Sequence, residues 1–118
     1  MTRIASFHKG VIAHSLIKKI PRGANPDDYI EATPVRMMDF SQLVRECDIE
    51  KIDLLQLDCE GYDYEVLKMV DFDRFSPSLI NYESTHFSDQ TRKECEDTLV
   101  SKGYRLFRYG SDTCAYKI

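Results

Sequence analysis

The pattern of apolar and polar positions changes character near Pro34. Residues 1–33 show weak periodicity and contain the turn-rich stretch PRGANPDD, which predicts short strands or irregular structure. From residue 34 onward, apolar positions recur at helical or strand spacing. We therefore predict a single domain over residues 1–118, with 1–33 as a weakly patterned N-terminal segment and 34–118 as its clearly patterned part.

Three helices are predicted from apolar residues at helical spacing and from capping residues. Asp39 and Gln42 resemble a capping box. Asp63 is a candidate cap for the second helix, and Ser88 is a candidate N-cap for the third. Gly103 has the position of a left-handed C-terminal cap. The predicted helices cover about residues 40–47, 64–70 and 89–102.

Four strands complete the predicted sheet. KIDLLQLDC has the continuous apolar run of a parallel strand that is buried on both faces. PSLINYEST predicts a second strand, and YRLFRYGSDTCAYKI predicts two strands joined by Gly110, Ser111 and Asp112. The order strand, helix, strand, helix, hairpin predicts an α/β fold whose two parallel strands carry an antiparallel pair at one edge.

Candidate site residues follow the two predicted parallel strands. Asp58, Glu60 and Gly61 come directly after the first strand, and Glu83 and His86 end or follow the second. Sheets of this class bind ligands at the carboxyl ends of their strands. We therefore expect these five residues to converge along one rim of the sheet.

A rim with several carboxylates needs a compensating partner, and three are considered. One is a ligand that carries hydroxyl, ammonium or sulfonium groups. The second is a hard or borderline metal ion, with His86 as a nitrogen ligand. The third is structural: Asp58 or Asp63 caps the next helix, Glu60 favours its positive end, and Gly61 permits a tight turn.

Composition narrows the partners and the compartment. The net charge is -4, and no cluster of Lys and Arg suggests binding to nucleic acid or to an anionic membrane. No apolar run is long enough to span a bilayer. The four cysteines form no CxxC pair, which predicts reduced, mostly buried thiols and a cytoplasmic protein. Cys59 lies beside carboxylates that disfavour its thiolate, so we do not assign it as a nucleophile.

Four segments of the chain are PVRMMDFSQLV, IDLLQLDCEGYDYEVLK, SLINYEST and SDTCAYK. In this order, over roughly residues 34–118, they resemble the C-terminal half of FkbM-type methyltransferases. The most specific feature is a strand that ends in Asp58, Cys59, Glu60 and Gly61, followed by an acidic residue and a helix with Val-Leu-Lys. FkbM-type enzymes use S-adenosylmethionine to methylate hydroxyl groups of sugars and natural products.

The resemblance implies a partial Rossmann-like class I methyltransferase sheet with a C-terminal antiparallel hairpin. It implies S-adenosylmethionine as cofactor, with Asp58, Glu60, Gly61 and Glu83 as cofactor-binding residues. We predict Glu60 and His86 as catalytic residues, of which one, His86 or Glu60, takes the proton of a small-molecule hydroxyl acceptor. This interpretation assigns no metal ligand.

The sequence departs from the family in the segment before Pro34. A glycine-rich loop after the first strand and an acidic residue at the end of the second should lie there, but the segment holds only Gly10 and Gly23 and no GxG. We therefore expect a truncated or divergent methyltransferase. An exposed edge of the first parallel strand would favour a homo-oligomer or completion by another chain.

Two other function classes remain open on the sequence alone. One is a non-catalytic assembly module that keeps the half-fold and uses its exposed edge. The other is a small metal-dependent enzyme that uses Asp58, Glu60, Glu83 and His86.

Overall fold

The computed structural model of the chain describes residues 19–118. The chain divides into two units, Met1–Met37 and Met38–Ile118, and each is described by itself. Within residues 19–37 the regular structure is a single 3₁₀ turn, Pro26–Tyr29, which begins where the Asn25 side chain accepts a hydrogen bond from the Asp27 backbone N–H. This part matches the predicted irregular structure, and the prediction for residues 1–18 lies outside the described residues.

The second unit is a small α/β fold with a four-stranded mixed sheet. The strand order is β1-β2-β4-β3, with β1 parallel to β2 and the other neighbours antiparallel. The predicted α/β fold, with two parallel strands and an antiparallel pair at one edge, is thereby confirmed. The elements are β1 Leu54–Gln56, β2 Leu79–Glu83, β3 Arg105–Tyr109 and β4 Asp112–Tyr116, with α1 Phe40–Glu46, α2 Asp63–Met69 and α3 Asp89–Ser101.

The ends of α1 and α3 follow the predicted capping signals. The Asp39 carboxylate accepts from the Gln42 backbone N–H at 2.7 Å, and the Gln42 side chain accepts from the Asp39 backbone N–H at 3.0 Å. Ser88 accepts from the Thr91 backbone N–H at 3.1 Å. Gly103 has a φ of +88°, which is the left-handed conformation that favours glycine.

The beginning of α2 differs from the prediction. Its N-cap is Tyr62, which makes no side-chain capping hydrogen bond, and Asp63 is the first helical residue. The prediction that Asp63 caps this helix is wrong, because the fully buried Asp63 carboxylate accepts hydrogen bonds from two other parts of the chain.

The core lies between the sheet and the helices α2 and α3. Ile80 and Ala115 are fully buried neighbours on β2 and β4, while Leu67 of α2 and Leu99 of α3 pack in the same cluster. The prediction that the first strand is buried on both faces is wrong, because Leu54 is 55% exposed. Within the described sheet β1 has one neighbour, so it is an edge strand.

The hairpin and the cysteines correct two details. Gly110, with a φ of +59°, and Ser111 form the turn, whereas Asp112 already belongs to β4. All four cysteines are free thiols, as predicted, but only Cys95 is buried. Among the described residues, no helix combines the length and the apolar character needed to cross a membrane.

Candidate functional site

A tight turn after β1 presents Glu60. The Tyr62 backbone N–H donates to the Cys59 carbonyl at 3.2 Å, which closes a turn with Glu60 and Gly61 at its centre. Both central residues have positive φ, +49° at Glu60 and +98° at Gly61. A left-handed residue other than glycine costs about 1–3 kcal/mol. Glu60, one of the predicted site residues, therefore keeps a strained backbone.

Two features favour glycine at position 61: its positive φ and the close approach of His86. A Cβ atom placed on Gly61 would lie 3.3 Å from the Cβ of His86. This separation is tight for two carbon atoms, so a side chain here would press on His86. The turn after β1 and the segment after β2 are therefore in direct contact at Gly61.

Asp63 joins the ends of the two parallel strands. Its Oδ2 accepts from the Cys59 backbone N–H and its Oδ1 accepts from the Glu83 backbone N–H, both at 3.2 Å. A fully buried carboxylate is tolerated when it accepts hydrogen bonds of this kind. Asp63 thereby fixes the position of the β1 turn relative to the end of β2. The position of Asp63 before a helix predicted a helix cap and not this link between the two strands.

The segment that carries His86 is held by Ser84. The Ser84 backbone N–H donates to the Ser111 carbonyl at 2.9 Å, and its hydroxyl lies 2.9 Å from the hydroxyl of Thr113. The Arg92 guanidinium donates to the Ser84 carbonyl at 2.7 Å. These contacts tie the β2–α3 segment to β4 and α3. The sequence analysis did not identify Ser84, because a lone serine after a strand carries no distinguishing pattern.

Glu60, Glu83 and His86 form one cluster on the rim. One side-chain atom of each, a carboxylate oxygen or an imidazole nitrogen, lies within 4.8 Å of the corresponding atoms of the other two. His86 Nε2 is 3.6 Å from Glu60 Oε2 and 3.7 Å from Glu83 Oε2. Their side chains are 28%, 19% and 33% exposed for Glu60, Glu83 and His86, so the cluster is partly open to solvent. We call these three residues the rim cluster.

Glu83 is the most deeply placed member of the rim cluster. Burial raises the pKa of Glu83, and the negative charges of Asp58, Glu60 and Asp63 act in the same direction, while His86 opposes them. Its Oε2 atom is buried and has no hydrogen-bond partner among the described residues. Glu83 therefore holds a carboxylate oxygen that the surrounding described residues leave without a donor.

The structure thus brings together three of the five predicted site residues and places Gly61 against them. Asp58 is exposed and lies outside the rim cluster, although its charge acts on Glu83. The prediction that Gly61 permits a tight turn is confirmed. Burial, followed by the charge of Asp63, raises the pKa of Cys59, in keeping with our decision not to assign a nucleophile there.

Two surface depressions lie elsewhere in the described chain. One, of about 590 Å³, lies beside α1, and another, of about 320 Å³, lies between α2 and α3. Neither includes a residue of the rim cluster. The first is lined by Val44, Arg45, Asp48, Ile49, Glu50 and Arg74. We place the candidate site at the rim cluster because functional groups of three separate positions converge there.

The protein is a small α/β domain with a four-stranded mixed sheet, and its candidate site lies at the ends of two parallel strands. The sequence model of the family described as "Methyltransferase FkbM domain" matches residues 4–106. The chain therefore belongs to the FkbM methyltransferase family. The match takes in residues before Pro34 and three of the four segments that carry the resemblance, whereas SDTCAYK lies beyond residue 106. No curated protein and no solved structure matches the chain.

Proposed function

We propose that this chain is an O-methyltransferase domain that uses S-adenosylmethionine and contains part of a Rossmann-like class I sheet. One observation carries the proposal: in a chain of a methyltransferase family, Glu60, Glu83 and His86 converge at the carboxyl ends of parallel strands. This is the edge at which open α/β sheets bind their ligands.

The reaction requires the rim to hold two molecules and to remove a proton. The hydroxyl oxygen of the acceptor attacks the methyl carbon, a C–O bond forms, and the methyl C–S bond breaks so that the sulfonium becomes a thioether. The hydroxyl proton passes to the Glu60 carboxylate or to His86 Nε2. Alignment of the oxygen with the methyl group supplies much of the rate.

Negative charge on the rim suits the cofactor and restricts the acceptor. We assign Asp58, Glu60, Gly61 and Glu83 to cofactor binding, because carboxylates complement the sulfonium, ammonium and ribose hydroxyl groups of S-adenosylmethionine. The same charge repels phosphorylated acceptors. We propose a neutral hydroxyl of a sugar or natural product as the acceptor. The four free cysteines favour a reducing, cytoplasmic compartment.

A second candidate function is a non-catalytic assembly module. It is favoured by the position of β1, which pairs on one side only in the described sheet and has an exposed leucine. An unpaired strand edge is a template for another strand. In this alternative the edge of β1 binds another chain and the rim binds no cofactor.

Calorimetric titration of the purified chain with S-adenosylmethionine and S-adenosylhomocysteine tests the proposal. We expect saturable binding that Asp58→Ala weakens at least tenfold, because the carboxylate contacts the cofactor. Asp97→Ala is the matched control, since Asp97 is an exposed carboxylate on α3 that pairs with Lys93.

The same preparation is then assayed for methyl transfer to a panel of hydroxyl acceptors. His86→Ala should lose transfer while its affinity for S-adenosylhomocysteine stays unchanged. No binding at millimolar cofactor would contradict the proposal and favour the assembly module. Full turnover by His86→Ala would remove the assigned role of the imidazole.

A further inference from the structure

We propose that Glu60, Glu83 and His86 form a binding site for a divalent first-row transition-metal ion such as Mn²⁺ or Zn²⁺. The three side chains come from the turn after β1, the last residue of β2 and the segment before α3. Their ligand atoms lie within 4.8 Å of one another. Two carboxylates and one imidazole are the ligand types that such ions accept.

The distances from His86 to the two carboxylates are close to those between two ligands of one shared ion. Two ligands that are each about 2.1 Å from one tetrahedral ion lie about 3.4 Å apart. The separations from His86 Nε2 are 3.6 Å to Glu60 and 3.7 Å to Glu83. These values exceed the usual hydrogen-bond length. A small movement of the side chains would bring all three groups to coordination distance.

A second observation points into the same space. Glu83 Oε2 is buried without a hydrogen-bond partner among the described residues, and it is the atom that faces His86 Nε2. A buried carboxylate oxygen without a donor is costly. A cation between Glu83 and its two neighbours removes that cost, because it supplies the positive charge that the oxygen lacks.

The fold holds these ligands in position before an ion arrives. Asp63 accepts hydrogen bonds from the Cys59 and Glu83 backbone N–H groups, and Ser84 is held by β4 and α3. Three protein ligands leave at least one coordination position free, which is the arrangement of catalytic rather than structural metal sites. The partial exposure of the rim cluster leaves that position open to a solute.

The role of the ion rests on the proposed function, whereas the binding site does not. Glu60, Glu83 and His86 would hold the ion, which would lower the pKa of a coordinated acceptor hydroxyl so that its proton could pass to water before the oxygen attacks the methyl carbon and the C–S bond breaks. Metal binding through Nε2 would then replace the role of His86 as proton acceptor. Metal affinity can be measured without cofactor or acceptor.

The test is calorimetric titration of the metal-free chain with MnCl₂ and ZnCl₂. The electron paramagnetic resonance spectrum of Mn²⁺ is a second measurement. We expect one ion per chain and at least a tenfold loss of affinity in both Glu83→Gln and His86→Ala. Glu65→Gln is the matched control, because Glu65 is a partly exposed carboxylate that pairs with Lys68. Mg²⁺ and Ca²⁺ should compete weakly, since both prefer sites made only of oxygen atoms.

The outcomes separate this proposal from the previous one. Absence of saturable binding would overturn the metal site, as would equal affinity in the wild type and both variants. Circular dichroism establishes that each variant is folded, and His86→Ala serves alone if Glu83→Gln is not. Metal binding without cofactor affinity would support the site and contradict the methyltransferase proposal, and cofactor affinity without metal binding would do the reverse.

Discussion

At the scale of single residues, Asp63 combines a structural and a positioning role. Its carboxylate is fully buried, and it accepts one hydrogen bond from Cys59 and one from Glu83, 20 residues further along the chain. The acceptors must be two oxygens, because each faces a backbone N–H. The geometry of the rim cluster therefore depends on a residue that is not part of it.

We expect Asp63→Asn to destabilise the protein by about 1–3 kcal/mol. The amide offers one acceptor oxygen, and its NH₂ group would face the N–H of Cys59 or Glu83, so that one buried donor is left without an acceptor. Urea denaturation at pH 7 measures the free energy of unfolding. Asp97→Asn, an exposed change on α3, should leave it nearly unchanged, and an equal loss in both variants would contradict this explanation.

The sequence predicted Glu60, Glu83 and His86 as site residues because each lies at or after the end of a strand, where the topology decides the neighbours. It did not predict the role of Asp63 correctly. An aspartate just before a helix is typical of a cap, and its real partner on Glu83 is distant in sequence. Contacts of this kind depend on the register of β1 against β2, which the local pattern does not contain.

At the scale of elements, local signals were sufficient for the beginnings of α1 and α3 and insufficient for the cap of α2 and the burial of β1. The capping box at Asp39 and the N-cap at Ser88 lie within the segments they begin, and both are confirmed. An apolar run such as LLQL is compatible with a central or an edge strand, since the difference lies in how many neighbours the strand has. The structure places β1 at the edge of the described sheet, with Leu54 exposed.

The packing of α3 against β2 predicts a loss of stability at alkaline pH. Burial raises the pKa of the Cys95 thiol to about 11, and burial also raises the pKa of Tyr82. A folded pKa above the unfolded value of 9.0 means that this stabilisation is fully present below pH 9 and is lost as the pH rises toward 11.

We therefore expect Cys95→Ala to be less stable than the wild type at pH 8, since it leaves a small cavity in the core. The difference should narrow between pH 9 and 11, because the variant has no thiol to ionise there. Denaturation at a series of pH values gives both slopes. Cys47→Ala, at an exposed thiol, should follow the wild type throughout, and parallel curves for Cys95→Ala and wild type would contradict the assignment.

At the scale of the whole molecule, the order of elements was predicted and the family is shown by a match over residues 4–106. The antiparallel pair lies at one edge of the sheet, as expected, and β1 forms the other edge in the described structure.

We expect the chain to associate through β1. An exposed strand with an apolar side chain can add a strand from another copy, and Leu54 is the exposed apolar residue at that edge. Sedimentation should show a concentration-dependent dimer that Leu54→Glu weakens at least tenfold, because association would then bury a charged side chain in place of an apolar one. Val100→Glu is the control, since Val100 is 57% exposed on α3. A wild-type monomer at every concentration would contradict the prediction.

The central position of β2 has a consequence for how the protein folds. The hairpin of β3 and β4 closes through Gly110 and Ser111, whereas β1 and β2 must be brought together across the whole of α2. Local pairings form faster than distant ones. We expect the hairpin to form early and the parallel pair late. During synthesis, β1 would leave the ribosome before its partner β2, so the rim cluster would assemble only after Glu83 of β2 and the segment with His86 have emerged.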